Sequence, residues 1–225
     1  HESRHCVDDA WEEAYLRFET PREEVAQFIR RLSQLGAHRW PKEGRVVELF
    51  CGRGNGLIAL GRLGFHNLEG VDLSGALLER YHGPAKTYVC DCRQLPFERD
   101  SRDLLIVQGG LHHLHSFPAD LEACVLEALR VLRPGGRFVV VEPWRTLFLK
   151  LVHAVCETRL ARQVSQKLDA FAIMAELERS TYETWLSHPA EILALLEQHF
   201  ATENQKIGWG KLAYVGAKPA VPIRC

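Results

Sequence analysis

No stretch of this 225-residue sequence approaches the roughly 20 consecutive apolar residues that a membrane-spanning helix needs. Neither sign of charge is in excess. The 28 basic and 29 acidic residues leave a net charge of −1, which gives nucleic acid or an acidic bilayer no overall attraction. The seven cysteines include no CxxC pair, and a chain of this length does not need disulfide staples. Reduced thiols in a cytoplasmic protein are therefore expected. Cys90-Asp91-Cys92 is spaced too closely for tetrahedral zinc, and no metal is expected. A GxxxxGK[ST] loop is missing, which argues against a polyphosphate ligand. The sequence begins at His1 rather than methionine, which leaves open what precedes it; its first residues do not read as a signal peptide.

Against these absences, Val46–Gly56 stands out. An apolar run containing Glu48 passes into a loop with Gly52, Gly54 and Gly56, and a helix-forming run follows from Leu57. Glycines allow a ligand to approach the backbone closely, and a helix start offers free N–H groups to something negative. Before it, Trp11, Tyr15 and Phe18 recur at helical spacing. Thr20-Pro21-Arg22-Glu23 is a capping box for a helix that ends at Gly36. The aromatic stripe is either core packing or a helix folded over a ligand on the glycine loop.

Further strands are expected at Leu68–Asp72, Lys86–Cys90, Asp103–Gln108 and Arg137–Glu142, with helices at 75–81 and 118–132. Pro189 opens another helix, and two strands joined at Gly210 close the chain as a hairpin. Alternating strands and helices imply a doubly wound, Rossmann-like α/β fold with a seven-stranded, mostly parallel sheet. Ligands bind such sheets at the carboxyl ends of the strands. Glu48, Asp72, Asp91, Gln108 and Glu142 all fall there, which suggests a ligand rich in hydroxyl and amino donors.

The order Glu48-x-x-x-Gly52-x-Gly54-x-Gly56, Asp72, Asp91 before Leu95-Pro96-Phe97, then Leu132-Arg133-Pro134-Gly135-Gly136 resembles the class I S-adenosylmethionine-dependent methyltransferases. It looks most like their small-molecule, methyltransferase type 11-like branch. The resemblance implies S-adenosylmethionine as cofactor and S-adenosylhomocysteine as product. It implies that Phe50, Cys51, Gly52 and Gly54 pass under the methionine part, with Glu48 on its ammonium. Asp72 would accept the ribose hydroxyls and Leu73 would pack beside them. Asp91 and the backbone of Cys92 would meet the adenine, Gln108 and Gly109 would flank the methyl, and Tyr15 would cover the site.

On this reading residues 1–44 are N-terminal helices over the cofactor, 45–143 the cofactor-binding core, 144–187 a helical acceptor cap, and 188–225 a closing helix and hairpin, all one domain. A hydroxyl or protonated-amine acceptor requires a general base, and histidine is the commonest near neutral pH. Of the histidines after the fourth strand, His113 is the first candidate and His112 the second, with packing or surface roles as the alternative. The expected reaction is methyl transfer to oxygen or nitrogen, less so carbon, of a small molecule. Trp144, Phe148, Phe171, Met174, Tyr182 and Trp185 in the cap suggest an apolar or aromatic one. The Asn/Asp-Pro-Pro-aromatic sequence of nucleic-acid N-methylating branches is absent, so no nucleic-acid partner is expected. Two alternatives are a non-catalytic S-adenosylmethionine-binding scaffold and an NAD-dependent oxidoreductase reading of the glycine loop. Leu147–Val155 is a candidate interfacial helix for peripheral lipid or quinone contact, without stable membrane insertion. A monomer or homodimer is expected.

Overall fold

Side chains in the central strands alternate between two apolar cores, as the two-residue strand period requires. Val46, Leu104, Ile106, Val139 and Val141 pack on one face with Leu32, Leu35 and Leu60. Val47, Leu49, Leu105, Val107, Phe138 and Val140 pack on the other with Leu121, Val125, Ile192 and Leu196. The computed structural model describes residues 9–156 and 158–220, without the side chains of residues 9, 159 and 161. Cys6, Val7 and Cys225 lie outside the described residues.

Two helices come first, α1 (Asp9–Phe18) and α2 (Pro21–Gln34). The core then runs β1 (Arg45–Leu49), α3 (Asn55–Arg62), β2 (Asn67–Asp72), α4 (Gly75–Leu78), β3 (Lys86–Val89), β4 (Arg102–Gln108), α5 (Ala119–Val131) and β5 (Leu132–Pro143). Four helices follow: α6 (Leu147–Cys156), α7 (Arg159–Val164), α8 (Gln166–Leu177) and α9 (Arg179–Ser187). Helix α10 (Pro189–His199) and strands β6 (Ala201–Gly208) and β7 (Lys211–Ala217) close the fold. The seven strands form one sheet in the order β3-β2-β1-β4-β5-β7-β6, with β7 antiparallel to both neighbours. This is the expected Rossmann-like sheet with a reversed C-terminal strand.

The local signals act as the sequence suggests. Thr20 and Glu23 form the capping box of α2, and Ser74 caps α4 by accepting from Leu77 N–H. Trp209 and Gly210 both have positive φ, the conformation that turns a two-residue hairpin. Two boundaries differ. Helix α4 stops at Leu78 instead of residue 81, because Tyr81 folds back onto the Gly54 backbone and its hydroxyl accepts from Ala85 N–H at 3.2 Å. Strand β5 begins at Leu132, ahead of Pro-Gly-Gly. Leu132 pairs with Arg102 and Arg137 with Leu104, so residues 133–136 bulge out of the ladder.

The insert caps the carboxyl edge of the sheet and reaches the N-terminal helices, through Arg17–Asp169 at 3.4 Å and the Phe18 and Phe171 rings at 5.9 Å. The Leu147/Leu151/Val155 stripe faces outward while α6 turns Leu149 and Cys156 inward, the orientation an interfacial helix requires. Trp144 and Trp185 lie in the main core, and Trp185 donates to the Pro143 carbonyl at 2.8 Å, so both pack the cap on the sheet. Among the described residues no helix is long and apolar enough to cross a membrane.

At the opposite edge, buried Arg102 ion-pairs with Glu69 at 2.7 Å, and Tyr88 donates to the same carboxylate at 2.9 Å. Removing one partner of such a pair strands the other. Arg102→Met should lower unfolding stability by about 3 kcal/mol in urea titration, and an unchanged midpoint would exclude a structural role for the pair.

Candidate active site

Strand alternation sends Glu48 and Gln108 to the face carrying α2 and α3, and Glu142 to the face carrying α5 and α10. Glu48 lies under the start of α3. A Cβ at Gly56 would stand 1.6 Å from its Oε1, so only glycine lets the carboxyl occupy that space. Burial, with Glu24 and Asp72 nearby, pushes the Glu48 pKa well above the ordinary carboxylate range. Its Oε2 has no hydrogen-bond partner, and neither Oε1 nor Nε2 of Gln108 has one. Three orphaned polar atoms at one strand edge are costly to bury, and they fit a ligand carrying an ammonium group and hydrogen-bonding atoms.

Asp72 closes β2 and fixes the loop. Its Oδ2 accepts from Gly52 N–H and its Oδ1 from Ser74 N–H, both at 2.8 Å, which leaves further lone pairs for hydroxyl donors. Phe50 and Gly54 take positive φ in the turn, Cys51 is buried beneath it, and Leu73 stands half-exposed at the strand end. Asp91 is engaged by Arg93, whose Nη2 donates at 2.6 Å; this contact holds the carboxyl below its usual pKa despite partial burial. An adenine amino group would share Asp91 with Arg93. Cys92 is in the core, whereas the Cys90 thiol donates to the Gln94 carbonyl at 2.9 Å. The five described cysteines are free thiols.

The N-terminal helices clasp this loop. Tyr15 is bonded to Glu24, and burial followed by that carboxylate raises its pKa. Glu24 also accepts from Asn55 Nδ2 at 2.6 Å, tying α2 to the first residue of α3. Trp11 stacks on Tyr15 with ring centroids 5.1 Å apart and meets the edge of His113 at 6.3 Å. Helix α1 thus runs from the glycine loop to the histidines.

After β4, Gly109 turns the chain with φ of 76°. Gly110 and Leu111 N–H groups then both donate to Glu142 Oε1 at 2.8 Å, and His112 Nδ1 bonds its Oε2 at 2.7 Å. Glu142 is completely buried. From the cap, Glu178 lies 3.7 Å from His112 Nε2 and 3.4 Å from His113 Nδ1. Burial disfavours a charged His112, but Glu142 and Glu178 outweigh it and raise its pKa to about 9. Burial and the neighbouring His112 cation lower that of His113 to about 4. At neutral pH the pair is one imidazolium and one neutral imidazole, and only the second can accept a proton.

His112, His113 and Glu178 offer donor atoms within 4.8 Å of one another, a compact set among the described residues. Glu178 and Glu24 are not marked by the sequence, whereas Trp11 and Glu142 lie in patterns it points to without a role of their own. Glu142 had a signal there, an acid ending the apolar run Val139–Val141, whereas Glu178 sits in a helical insert with nothing local to mark it.

Comparison with known proteins agrees with this geometry. The methyltransferase domain family matches residues 47–140. The demethylmenaquinone methyltransferase of Streptomyces griseus is 33% identical over 132 residues, covering 55% of this chain and 49% of that one. Its Streptomyces avermitilis counterpart is 26% identical over 180 residues, covering 76% and 70%. A crystal structure of a Pyrococcus horikoshii protein superposes with a TM-score of 0.68 at 19% identity, over 93% of this chain and 98% of that one. The chain spans about half the length of the Streptomyces griseus relative it matches. The matched stretch includes the glycine loop.

The His112–Glu142 pair makes stability depend on pH. His112 has a raised pKa when folded, so its contribution is complete below its ordinary 6.5 and is lost as pH rises towards 9. Glu142 has a lowered pKa, so its contribution is complete above its ordinary 4.5 and is lost on acidification. Thermal unfolding should show greatest stability between these limits and a loss of a few kcal/mol by pH 9. His112→Asn should flatten the alkaline limb; an alkaline limb as steep as wild type would contradict the pairing.

Proposed function

Residues 47–140 match the methyltransferase domain family, and we propose that the protein is a class I S-adenosylmethionine-dependent methyltransferase that methylates a small, hydroxylated aromatic molecule. Bound S-adenosylmethionine supplies a methyl group already activated by its sulfonium. In this proposal Glu48 and Gln108 hold the polar methionine end, and Asp72 holds the ribose hydroxyls with Leu73 against them. Asp91 and the Cys92 backbone face the adenine, while Phe50, Cys51, Gly52 and Gly54 form the floor beside Gly109. Tyr15 and Trp11 shield the site from water.

The observation that carries the chemistry is His113, a neutral imidazole with its side chain about one-third exposed. Its Nδ1 lies 3.4 Å from Glu178, whose carboxylate stabilises the imidazolium that forms when the ring takes a proton. Removing the proton of a ring hydroxyl raises electron density at that oxygen and at the ring carbons conjugated with it. The same base therefore serves methylation at oxygen or at carbon. The relatives are named as demethylmenaquinone methyltransferases, which favours a reduced quinone ring and moves the balance towards carbon. His112, held cationic by Glu142, positions the loop and keeps His113 neutral.

With a reduced naphthoquinone lacking one ring methyl as acceptor, His113→Ala should lower kcat by roughly 10²-fold while S-adenosylhomocysteine affinity stays within about twofold. Because His113 titrates near 4, kcat/KM should show no acid loss through His113 until below about pH 5. A His113→Ala rate equal to wild type would remove the base from His113. No methylation of quinols, phenols or amines by cofactor-bound protein would overturn the proposed reaction.

A further inference from the structure

Helix α6 carries its apolar residues on the wrong side for packing. Leu147, Leu151 and Val155 fall at i, i+4 and i+8, and the first two are 86% and 63% exposed. Phe148 extends the stripe, and its ring meets Trp209 at the β6–β7 hairpin tip with centroids 5.1 Å apart. Trp209 is 82% exposed. Its φ of 51° places a bulky aromatic where a tight turn ordinarily holds Asn, Asp or Gly. A tryptophan this exposed at a positive-φ position adds little to the core.

The formal charges within residues 144–156 are Arg145 and Lys150; Glu157 follows in the sequence. Arg145 and Lys150 are exposed, and neither makes an ion pair among the described residues. A short helix with an exposed apolar face, flanking cations and a neighbouring tryptophan has the chemistry of an interfacial anchor: the apolar side chains enter the acyl boundary, the indole sits at headgroup level, and the cations meet anionic lipid. A protein partner would match the apolar stripe equally well, but the exposed cations Arg145 and Lys150 favour an anionic surface.

We propose that α6 and the β6–β7 hairpin tip form a peripheral docking surface for anionic lipid bilayers, seating the helical cap against the membrane. This rests on the exposed stripe, the strained Trp209 and the unpaired cations, and is independent of which acceptor is methylated.

The test is sedimentation of the full chain with phosphatidylcholine vesicles containing about one-third phosphatidylglycerol. Partition should fall roughly tenfold for Trp209→Asn, a turn-compatible change, for Leu151→Asp, and for the Arg145→Glu/Lys150→Glu pair. Far-UV circular dichroism and S-adenosylhomocysteine affinity should stay unchanged in all three. Trp11, Trp40, Trp144 and Trp185 are shielded, so a blue shift of fluorescence on vesicle addition, absent in Trp209→Asn, would report insertion of Trp209 itself. No binding to the anionic vesicles, or binding that all three variants retain, would overturn the proposal. So would a lipid-independent dimer that the same variants dissolve in protein that ignores vesicles, which would assign the patch to a second copy of the chain.

Discussion

The Glu142 carboxylate is shut away from water at the end of a central strand, and the catalytic edge is arranged around it. An isolated ion there would cost several kcal/mol. Gly110 and Leu111 N–H groups and the His112 imidazole satisfy it together, which leaves the segment after β4 little freedom. His113 takes its place from that arrangement, and its neutrality comes from burial and the charge that Glu142 maintains on His112. Glu178 then joins the cap to the same set of charges. The four-helix insert after the fifth strand is therefore coupled electrostatically to the core.

The other face of that edge is left unsatisfied in the opposite sense. Glu48 and Gln108 keep buried polar atoms without partners, while Asp72 has already spent one hydrogen bond per oxygen in shaping the glycine loop. Groups held in place and lacking partners lose little freedom when a ligand supplies them. Tyr15, Glu24 and Asn55 link α1 and α2 to the same loop, so ligand binding and the seating of the N-terminal helices are parts of one equilibrium.

Much of this was legible in the sequence because it rests on short-range rules. Thr20–Glu23, Ser74, Pro189 and the Trp209-Gly210 turn each specify a boundary from neighbours alone. The apolar periods of the strands specify their faces, and the acids at their ends mark the ligand edge. What was not legible depends on residues far apart in the chain. Nothing near Glu178 or Trp11 signals contact with His113. Nothing near Arg93 decides how Asp91 is shared. The outward stripe of α6 has the pattern of a buried one, because periodicity gives the relation among Leu147, Leu151 and Val155 and not the direction they face. Residue type alone leaves open whether Trp144 and Trp185 face an acceptor or pack the cap on the sheet, and tertiary packing places them in the core.

The central claim is that the Glu48–Asp72 edge is built to take S-adenosylmethionine, and calorimetric titration with S-adenosylhomocysteine in two buffers of different ionisation enthalpy tests it most directly. Burial raises the Glu48 pKa, and an ammonium brought beside it would favour its ionised form. Binding should therefore release protons over the range in which Glu48 titrates and tighten as pH rises. Glu48→Gln should abolish the release and weaken binding by at least about tenfold. Failure of S-adenosylhomocysteine to bind, with NAD binding in its place, would contradict the account.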